Sequence, residues 1–571
     1  MPTIVINQKD LAHLLGRPVD AASLEDWLPL VKGELKDEDS QTGEWRVELQ
    51  DSNRPDLWCC EGIARQIRIK LNGQPVAYSF GKGSARAPRR VRVSEGMDEV
   101  RPYIAACTAV GYTVTEDALT QLIQTQEKLA DIFGRRRRTV SIGLYRLQKI
   151  AFPVTYVLVQ PGEARFTPLG FEDRMSLREI LDVHPKGLEF GPIVAGHSRV
   201  PLLIDDDGQV LSFPPIINSR EIGEVRVGDG ELFVEVTGTD LTMVLLTLNI
   251  LAVNLADRGA TVGPVEVEYP YETARGRKLR TPLEFAEPRS IPLQAIETAL
   301  GMPLGADEIR RTLRAYGYEA ATSRDRTHVS VTAPPYRNDL MHAVDVIEDV
   351  AISRGYGEFA PEMPAQFTVG GLSRLEEVSD QVRDLMIGQG FQEIISNILA
   401  SREELVERMR LNRTEWDRLV EVENVMTLTY SCLRQWVIPS LLRVEAASTR
   451  AFYPHRMFEV GEVAVPDPTD EMGTRTLLSL AACMSHANAN FSEIHSSLDL
   501  LFYYFDQPYS LEAVAHPSFL EGRAGRIMCE GRAVGLIGEL HPEVLERWQI
   551  GVPVVALDLS IDALAERSKQ D

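Results

Sequence analysis

A chain of 571 residues is longer than a single hydrophobic core organises, so this sequence must fold as several domains. The longest apolar run limits where they can lie. Leu241 to Val253 is interrupted by Thr247 and Asn249 and falls short of the roughly 20 residues that a membrane span needs. It reads as a buried helix, and no membrane partner is expected. The opening Met-Pro-Thr-Ile-Val-Ile carries no basic stretch and is not a signal peptide. The six cysteines form no Cys-x-x-Cys pair, and the adjacent Cys59 and Cys60 read as core rather than disulfide. This usage suits a reducing cytoplasm and argues against structural zinc.

Charge narrows the function further. The net charge of −23 counts against a nucleic-acid binder, because phosphate contacts need a basic face. Three basic strips interrupt the acidity: Arg86 to Arg92, Arg135 to Arg138 and Arg275 to Arg280. They read as solubilising loops. An acidic chain with such strips could still touch RNA while a partner subunit supplies most contacts.

Punctuation and periodicity separate four regions of an α+β chain: 1–85, 86–268, 269–366 and 367–571. The first opens on a strand at Thr3 to Ile6. Alternation returns at Trp45 to Leu49, and a polar turn at Asp51 to Asp56 caps a helix from Leu57 to Ile69. In that helix Leu57, Ile63 and Ile67 share a face, with Arg65, Arg68 and Lys70 elsewhere. In the second region Val110 to Val114, Thr139 to Ile142 and Leu232 to Val236 read as strands. Leu119 to Phe133 and Leu241 to Ala256 read as helices, and Pro214-Pro215 marks an edge or loop. The third region holds helices at Pro292 to Leu300, Glu308 to Tyr316 and Leu340 to Arg354, and a strand at His328 to Thr332. The fourth begins with a helix through Leu375, Val378, Val382, Leu385 and Met386. Strands then follow at Phe391 to Ile395, Arg456 to Val463, Leu477 to Met484, Ala524 to Cys529 and Val534 to Gly538, a mostly antiparallel series.

Four strings occur in order. They are Asp51-Ser-Asn-Arg-Pro-Asp-Leu-Trp with Glu61-Gly-Ile-Ala-Arg65; Val210 to Asn218 with Phe233-Val-Glu-Val-Thr-Gly-Thr-Asp240; Pro334-Pro-Tyr-Arg-Asn-Asp339 with Asp345-Val-Ile-Glu-Asp349; and Gly535 to Leu545. Together they resemble the β subunits of archaeal and eukaryotic cytosolic phenylalanyl-tRNA synthetases over nearly the whole chain. The resemblance implies an N-terminal module, a B3/B4-like editing domain, a B5-like domain and a class II synthetase-like antiparallel module without its own activity. It implies an α2β2 assembly with a catalytic α subunit that binds ATP and phenylalanine, and tRNA(Phe) as a shared partner. Two other readings fit the same chain: a free-standing hydrolase of mischarged tRNA and a non-enzymatic scaffold.

The resemblance also assigns residues. An active class II site needs an arginine in Arg-x-Glu for the ATP α-phosphate and another in a glycine-rich segment. Here His455-Arg-Met-Phe-Glu-Val-Gly461 and Glu521-Gly-Arg-Ala-Gly-Arg526 lack that arrangement, so no residue is catalytic for aminoacylation. Gln435 to Leu442 would then be a subunit interface; core with a helix cap is the other reading. In the editing domain Glu235 is implied as the acceptor of a tyrosine hydroxyl, with Asn218 on the pocket wall. Pattern alone also accommodates Glu235 as a charge on an exposed strand face. Relatives carry Gly-x-His-Asp-Leu-Asp where this chain has Gly143-Leu-Tyr-Arg-Leu-Gln148, so any editing is expected to be weak or to use other residues. In the B5-like region Asp345, Glu348 and Asp349 fall at i, i+3 and i+4, one side of a helix, with Asp339 just before it. The resemblance places Mg²⁺ on these four carboxylates, whose oxygens suit a hard cation. A solvated acidic face is the alternative. His486 and His495 read as loop residues.

Overall fold

The computed structural model describes residues 2–50, 53–78, 80, 89–284, 287–412, 418–448 and 450–567. Asp51 and Ser52 of the first string, and Arg86 to Pro88 of the first basic strip, lie outside them. The chain divides into two compact units, Met1–Glu362 and Met363–Asp571.

In the first unit a three-stranded sheet places Glu44–Leu49 between Thr3–Asn7 and Gly33–Asp39. Its apolar face joins the helix Cys60–Asn72 and a ten-stranded sheet in one continuous core. Along nine of those strands the order is Ile217–Asn218, Val210–Phe213, Val200–Ile204, Val154–Val159, Arg89–Val93, Thr261–Glu268, Tyr103–Val110, Glu231–Gly238 and Val140–Arg146. The tenth, Lys278–Thr281, pairs with Thr261–Glu268 off that path. The helix Leu241–Asp257 packs on Tyr103–Val110 and Glu231–Gly238 and is buried around nearly its whole girth. Its polar interruption is accommodated: Asn249 Nδ2 donates to Leu283 O at 2.9 Å and to Pro335 O at 2.8 Å. A smaller sheet at the end of the unit sets His328–Thr332 between Arg289–Pro292 and Glu319–Thr322. The helix Ala343–Arg354 contributes Val346, Ile347 and Val350 to its core.

The second unit is built on seven strands in the order Gln392–Glu393, His455–Pro466, Thr474–Ser485, Val554–Ser560, Arg532–Leu540, Phe519–Cys529 and Tyr509–Ala513. All pairs are antiparallel except the first. Helices Arg374–Gly388, Phe491–Tyr504 and Ile561–Arg567 cover one face, and Ile438–Ala447 and Pro542–Trp548 the other. This is the α+β arrangement that the strand series indicates.

Several local expectations change. The strand expected at Val110 to Val114 is instead Tyr103–Val110, ended by Gly111 at φ 83°. The expected strand Phe391 to Ile395 shrinks to Gln392–Glu393. The helix expected over Leu119 to Phe133 is Glu116–Lys128, followed by a wider π turn. Arg65 is buried rather than on an outer face, with its Nε donating to Asp257 Oδ2 at 2.7 Å and its guanidinium 4.6 Å above the Tyr336 ring. Val437, Ile438, Leu441 and Leu442 are core of their own unit, so the stretch expected at a subunit interface is spent on internal packing.

Candidate functional site

The ten-stranded sheet curls until its two end strands face each other. At one end the chain turns at Pro214-Pro215 from Val210–Phe213 into Ile217–Asn218. At the other end lies Val140–Arg146, paired with Glu231–Gly238. The Tyr145 hydroxyl lies 2.7 Å from Ser212 Oγ, and Asn218 Nδ2 approaches Leu144 O at 3.5 Å, so side chains bridge the seam. A cavity of about 420 Å³ opens there, in the size range of small-molecule sites. Both residues expected at an editing pocket, Asn218 and Glu235, line it.

Glu235 is not on an exposed strand face. It is 2% exposed, and one of its oxygens, Oε1, lies 2.8 Å from the Tyr145 hydroxyl. The other, Oε2, is buried with no hydrogen-bond partner. Burial pushes the carboxyl up to about 7, against the opposing pull of the Tyr145 hydrogen bond and the Arg101 charge. Arg101 is itself buried. Its Nη2 donates to Thr237 O at 2.8 Å and to Ser141 Oγ at 3.1 Å, which ties the strands beneath the cavity floor. Arg137, read from sequence as a solubilising charge, reaches across the seam instead. Its Nη1 donates to Pro215 O at 3.1 Å and Ile216 O at 2.9 Å, and its guanidinium sits 4.1 Å over the Phe190 ring. Arg135, Arg136 and Arg137 all hold positive φ, a turn that presents this arginine to the cavity. Tyr145, Ser212, Arg101 and Arg137 were missed by sequence reasoning. Only Tyr145 carried a local signal, the two-residue step from Gly143 that puts both on one strand face.

Comparisons with known proteins converge on one family. Residues 360–561 match the family model described as the phenylalanyl tRNA synthetase beta chain CLM domain, and residues 289–356 match the tRNA synthetase B5 domain. The phenylalanine–tRNA ligase beta subunit of Treponema pallidum subsp. pallidum is 41% identical over 526 residues, covering 91% of this chain and 86% of the relative. That of Thermococcus kodakarensis is 38% identical over 580 residues, covering 99% of both. The chain belongs to the family of phenylalanine–tRNA ligase β subunits. A crystal structure of an N-terminal fragment of the phenylalanyl-tRNA synthetase β subunit from Pyrococcus horikoshii superposes with a TM-score of 0.58 at 37% identity, covering 62% of this chain and all of the fragment. Its membership makes the chain a subunit of an aminoacyl-tRNA ligase, as the four strings implied. No helix among the described residues is long and apolar enough to cross a membrane.

Within this β subunit the four carboxylates expected to hold Mg²⁺ do not converge. Arg337 lies between two of them: its Nε and Nη2 donate to Asp339 at 2.9 and 2.6 Å, and its Nη1 donates to Asp349 Oδ2 at 2.7 Å. Burial opposes the Asp339 charge, yet the Arg337 charge and hydrogen bonds hold its carboxyl below the usual range. Asp345 turns back to accept from the backbone N–H groups of Met341 and His342, both at 2.6 Å, as a helix cap. Glu348 pairs with Lys32 at 2.7 Å. Among the described residues no three carboxylates, histidines or cysteines gather at metal-binding separations. This donor set, as arranged, does not fit the ion: its helical spacing is right, but an arginine already supplies the cation.

The second unit holds a different buried cluster. Arg434 Nη2 donates to Glu459 Oε1 at 2.8 Å, and Ser396 Oγ donates to Glu459 Oε2 at 2.6 Å. Arg434 Nη1 donates to Ser396 Oγ at 2.7 Å and its Nε to Glu462 O at 2.9 Å. Glu459 belongs to the strand His455–Pro466, and an internal ion pair with Arg434 closes it.

Proposed function

We propose that this chain is the non-aminoacylating partner of a catalytic α subunit in an α2β2 ligase, and that its seam cavity proofreads tRNA(Phe) charged in error with tyrosine. ATP and phenylalanine would bind the α subunit, and tRNA would be shared. The observation that carries the proofreading reading is Glu235 Oε2, a buried acceptor without a partner on the wall of a cavity of ligand size. Phenylalanine and tyrosine differ by one hydroxyl, and an apolar pocket rejects an added hydroxyl only by roughly a hundredfold. A second pocket that rewards the hydroxyl supplies what the first cannot. Water would add to the tyrosyl ester carbonyl, the bond to the ribose oxygen would break, and tyrosine and tRNA would leave. The other half of the proposal rests on His455 to Gly461 and Glu521 to Arg526, which lack the Arg-x-Glu and glycine-rich arrangement of an ATP site.

Two assays test this. The chain purified alone should give no phenylalanine-dependent ATP–pyrophosphate exchange and should co-purify with an equimolar α subunit; robust exchange by the chain alone would overturn the partner assignment. The assembled enzyme should deacylate Tyr-tRNA(Phe) faster than Phe-tRNA(Phe), and Glu235→Ala should reduce that preference roughly tenfold or more, the worth of a hydrogen bond to a charged group. An undiminished preference in the variant would remove Glu235 from the site.

A further inference from the structure

The cavity's acceptor is held in place by another residue of the chain. Glu235 and Gly143 are direct cross-strand partners, and Tyr145 lies two residues along on the same face. Because residue 143 has no side chain, the Tyr145 phenol folds back across it to Glu235. A Cβ at 143 would lie 2.1 Å from the phenol oxygen and 2.5 Å from Glu235 Oε1. A phenol has one proton to give. Placed between a carboxylate and a hydroxyl, it donates to the carboxylate, where the bond is charge-assisted, and accepts from Ser212. Glu235 Oε1 is thereby committed, and Oε2 is left for a ligand. The phenol cannot drift: Tyr145 is fully buried, with its ring 5.9 Å from that of Phe233.

We propose that Tyr145 is the positioning residue that sets the specificity of this cavity, its phenol fixing Glu235 so that Oε2 accepts a hydrogen bond from a phenolic hydroxyl on the bound aminoacyl group. The nature of the ligand rests on the proofreading reading above. A bound tyrosyl group completes a symmetric arrangement in which two phenols donate to the two oxygens of one carboxylate. A phenylalanyl group leaves Oε2 buried and bare. Sites built to hydrogen-bond a hydroxyl reject the analogue that lacks it far more strongly than apolar pockets reject an added one.

The test uses L-tyrosinamide and L-phenylalaninamide as probes, titrated calorimetrically into the full chain between pH 5.5 and 8.5. The wild-type chain should prefer tyrosinamide, and more so as pH rises. Tyr145→Phe should lose roughly tenfold or more of that preference while phenylalaninamide affinity stays as it was. The pH at which the preference is half developed should move upward, because the Glu235 carboxylate has lost a donor that favours its charged form. A role in packing alone would not move that midpoint. Glu235→Gln keeps the phenol's packing and should lose both the preference and its pH dependence. Wild-type behaviour in either variant, or a wild-type chain with no preference for tyrosinamide, would overturn the proposal. Hydrolysis of Tyr-tRNA(Phe) by the assembled enzyme is scored separately: a tyrosinamide preference without hydrolysis would sink the proofreading reading and leave the positioning role standing.

Discussion

Glu235 and Glu459 are both strand glutamates at 2% exposure, and both sit beside a glycine that makes room for the group binding them. At Glu459 that glycine is Gly461, where a Cβ would lie 2.2 Å from Arg434 Nη2. At Glu235 it is Gly143. The difference lies in what fills the space. Arg434 and Ser396 occupy both oxygens of Glu459, and the cluster is closed. A single phenol occupies one oxygen of Glu235, the other is bare, and a cavity adjoins it. Burying a charge without full compensation costs folding free energy, so a fold that keeps such a group has a use for it that packing does not serve. One glutamate marks a site filled from within, and the other a site left open for a ligand.

The comparison breaks most visibly where a closed cluster is opened. Arg434→Met leaves Glu459 buried without its cation and should cost about 3–5 kcal/mol of stability in chemical denaturation. The double variant Arg434→Met/Glu459→Met should recover most of that loss, since a well-packed apolar pair is close to neutral against a buried ion pair. A single variant as stable as the wild type would show that the cluster is not closed. Arg337 makes the same point in the first unit. Arg337→Met leaves Asp339 and Asp349 unpaired at a similar cost, and chelator treatment should leave the wild-type melting temperature unchanged. Restoration of the variant by millimolar magnesium would show that these carboxylates can gather around an ion once the arginine is gone.

What the sequence made legible follows the range of the forces involved. The helix Leu241–Asp257 and the long strands of the second unit announce themselves because local pattern and burial agree. Tyr103–Val110 was misplaced because it is buried on both faces and so shows no alternation, whereas Val110-Gly-Tyr-Thr-Val114 alternates by accident around a turn. Arg65 looked like a surface charge because its partner Asp257 lies 192 residues further along the chain. Asp345, Glu348 and Asp349 do have helical spacing, but three separate partners direct them, one of them Lys32. Glu235 and Asn218 were reached through family resemblance. Tyr145 and Arg137 join them only when the two ends of a ten-stranded sheet meet, and no window of local sequence contains that event.

Next in size is the dependence of stability on pH. The folded Glu235 carboxyl titrates at about 7 against an ordinary 4.5, so between those values the folded state holds a proton that the unfolded state has released. Its contribution is therefore full below about 4.5 and is lost as pH rises to about 7. The loss is on the order of 3 kcal/mol for a group this buried. Glu235→Gln removes the titration, so the variant should match the wild type near pH 4.5 and exceed it in stability above pH 7. Denaturation series at several pH values measure this directly. Parallel pH profiles for the two proteins would mean that the carboxylate is solvated and the site is not open in the sense drawn here. The same substitution at Glu459 should behave oppositely, destabilising at neutral pH because it strips Arg434 of its counter-charge.

The smallest change probes the glycine that both sites share as a device. Gly143→Ala adds one methyl group where the nearest atoms are the Tyr145 phenol oxygen at 2.1 Å, its Cζ at 2.6 Å and Glu235 Oε1 at 2.5 Å. The phenol ring is enclosed and cannot step aside, so the methyl must push the hydroxyl off Glu235. Overpacking of this kind costs about 1–3 kcal/mol. The informative part is what accompanies the cost. With its donor displaced, the Glu235 carboxyl should titrate higher still, so the fall in stability that starts near pH 4.5 should continue to a higher pH than in the wild type. Gly461→Ala is the control. It crowds Arg434 by a comparable amount, but the arginine keeps other partners, Ser440 Oγ among them at 3.2 Å, and Ser396 Oγ still holds the second oxygen of Glu459. That variant should lose stability without any shift in the pH profile near 7. A shift in both, or in neither, would erase the distinction between the open glutamate and the closed one.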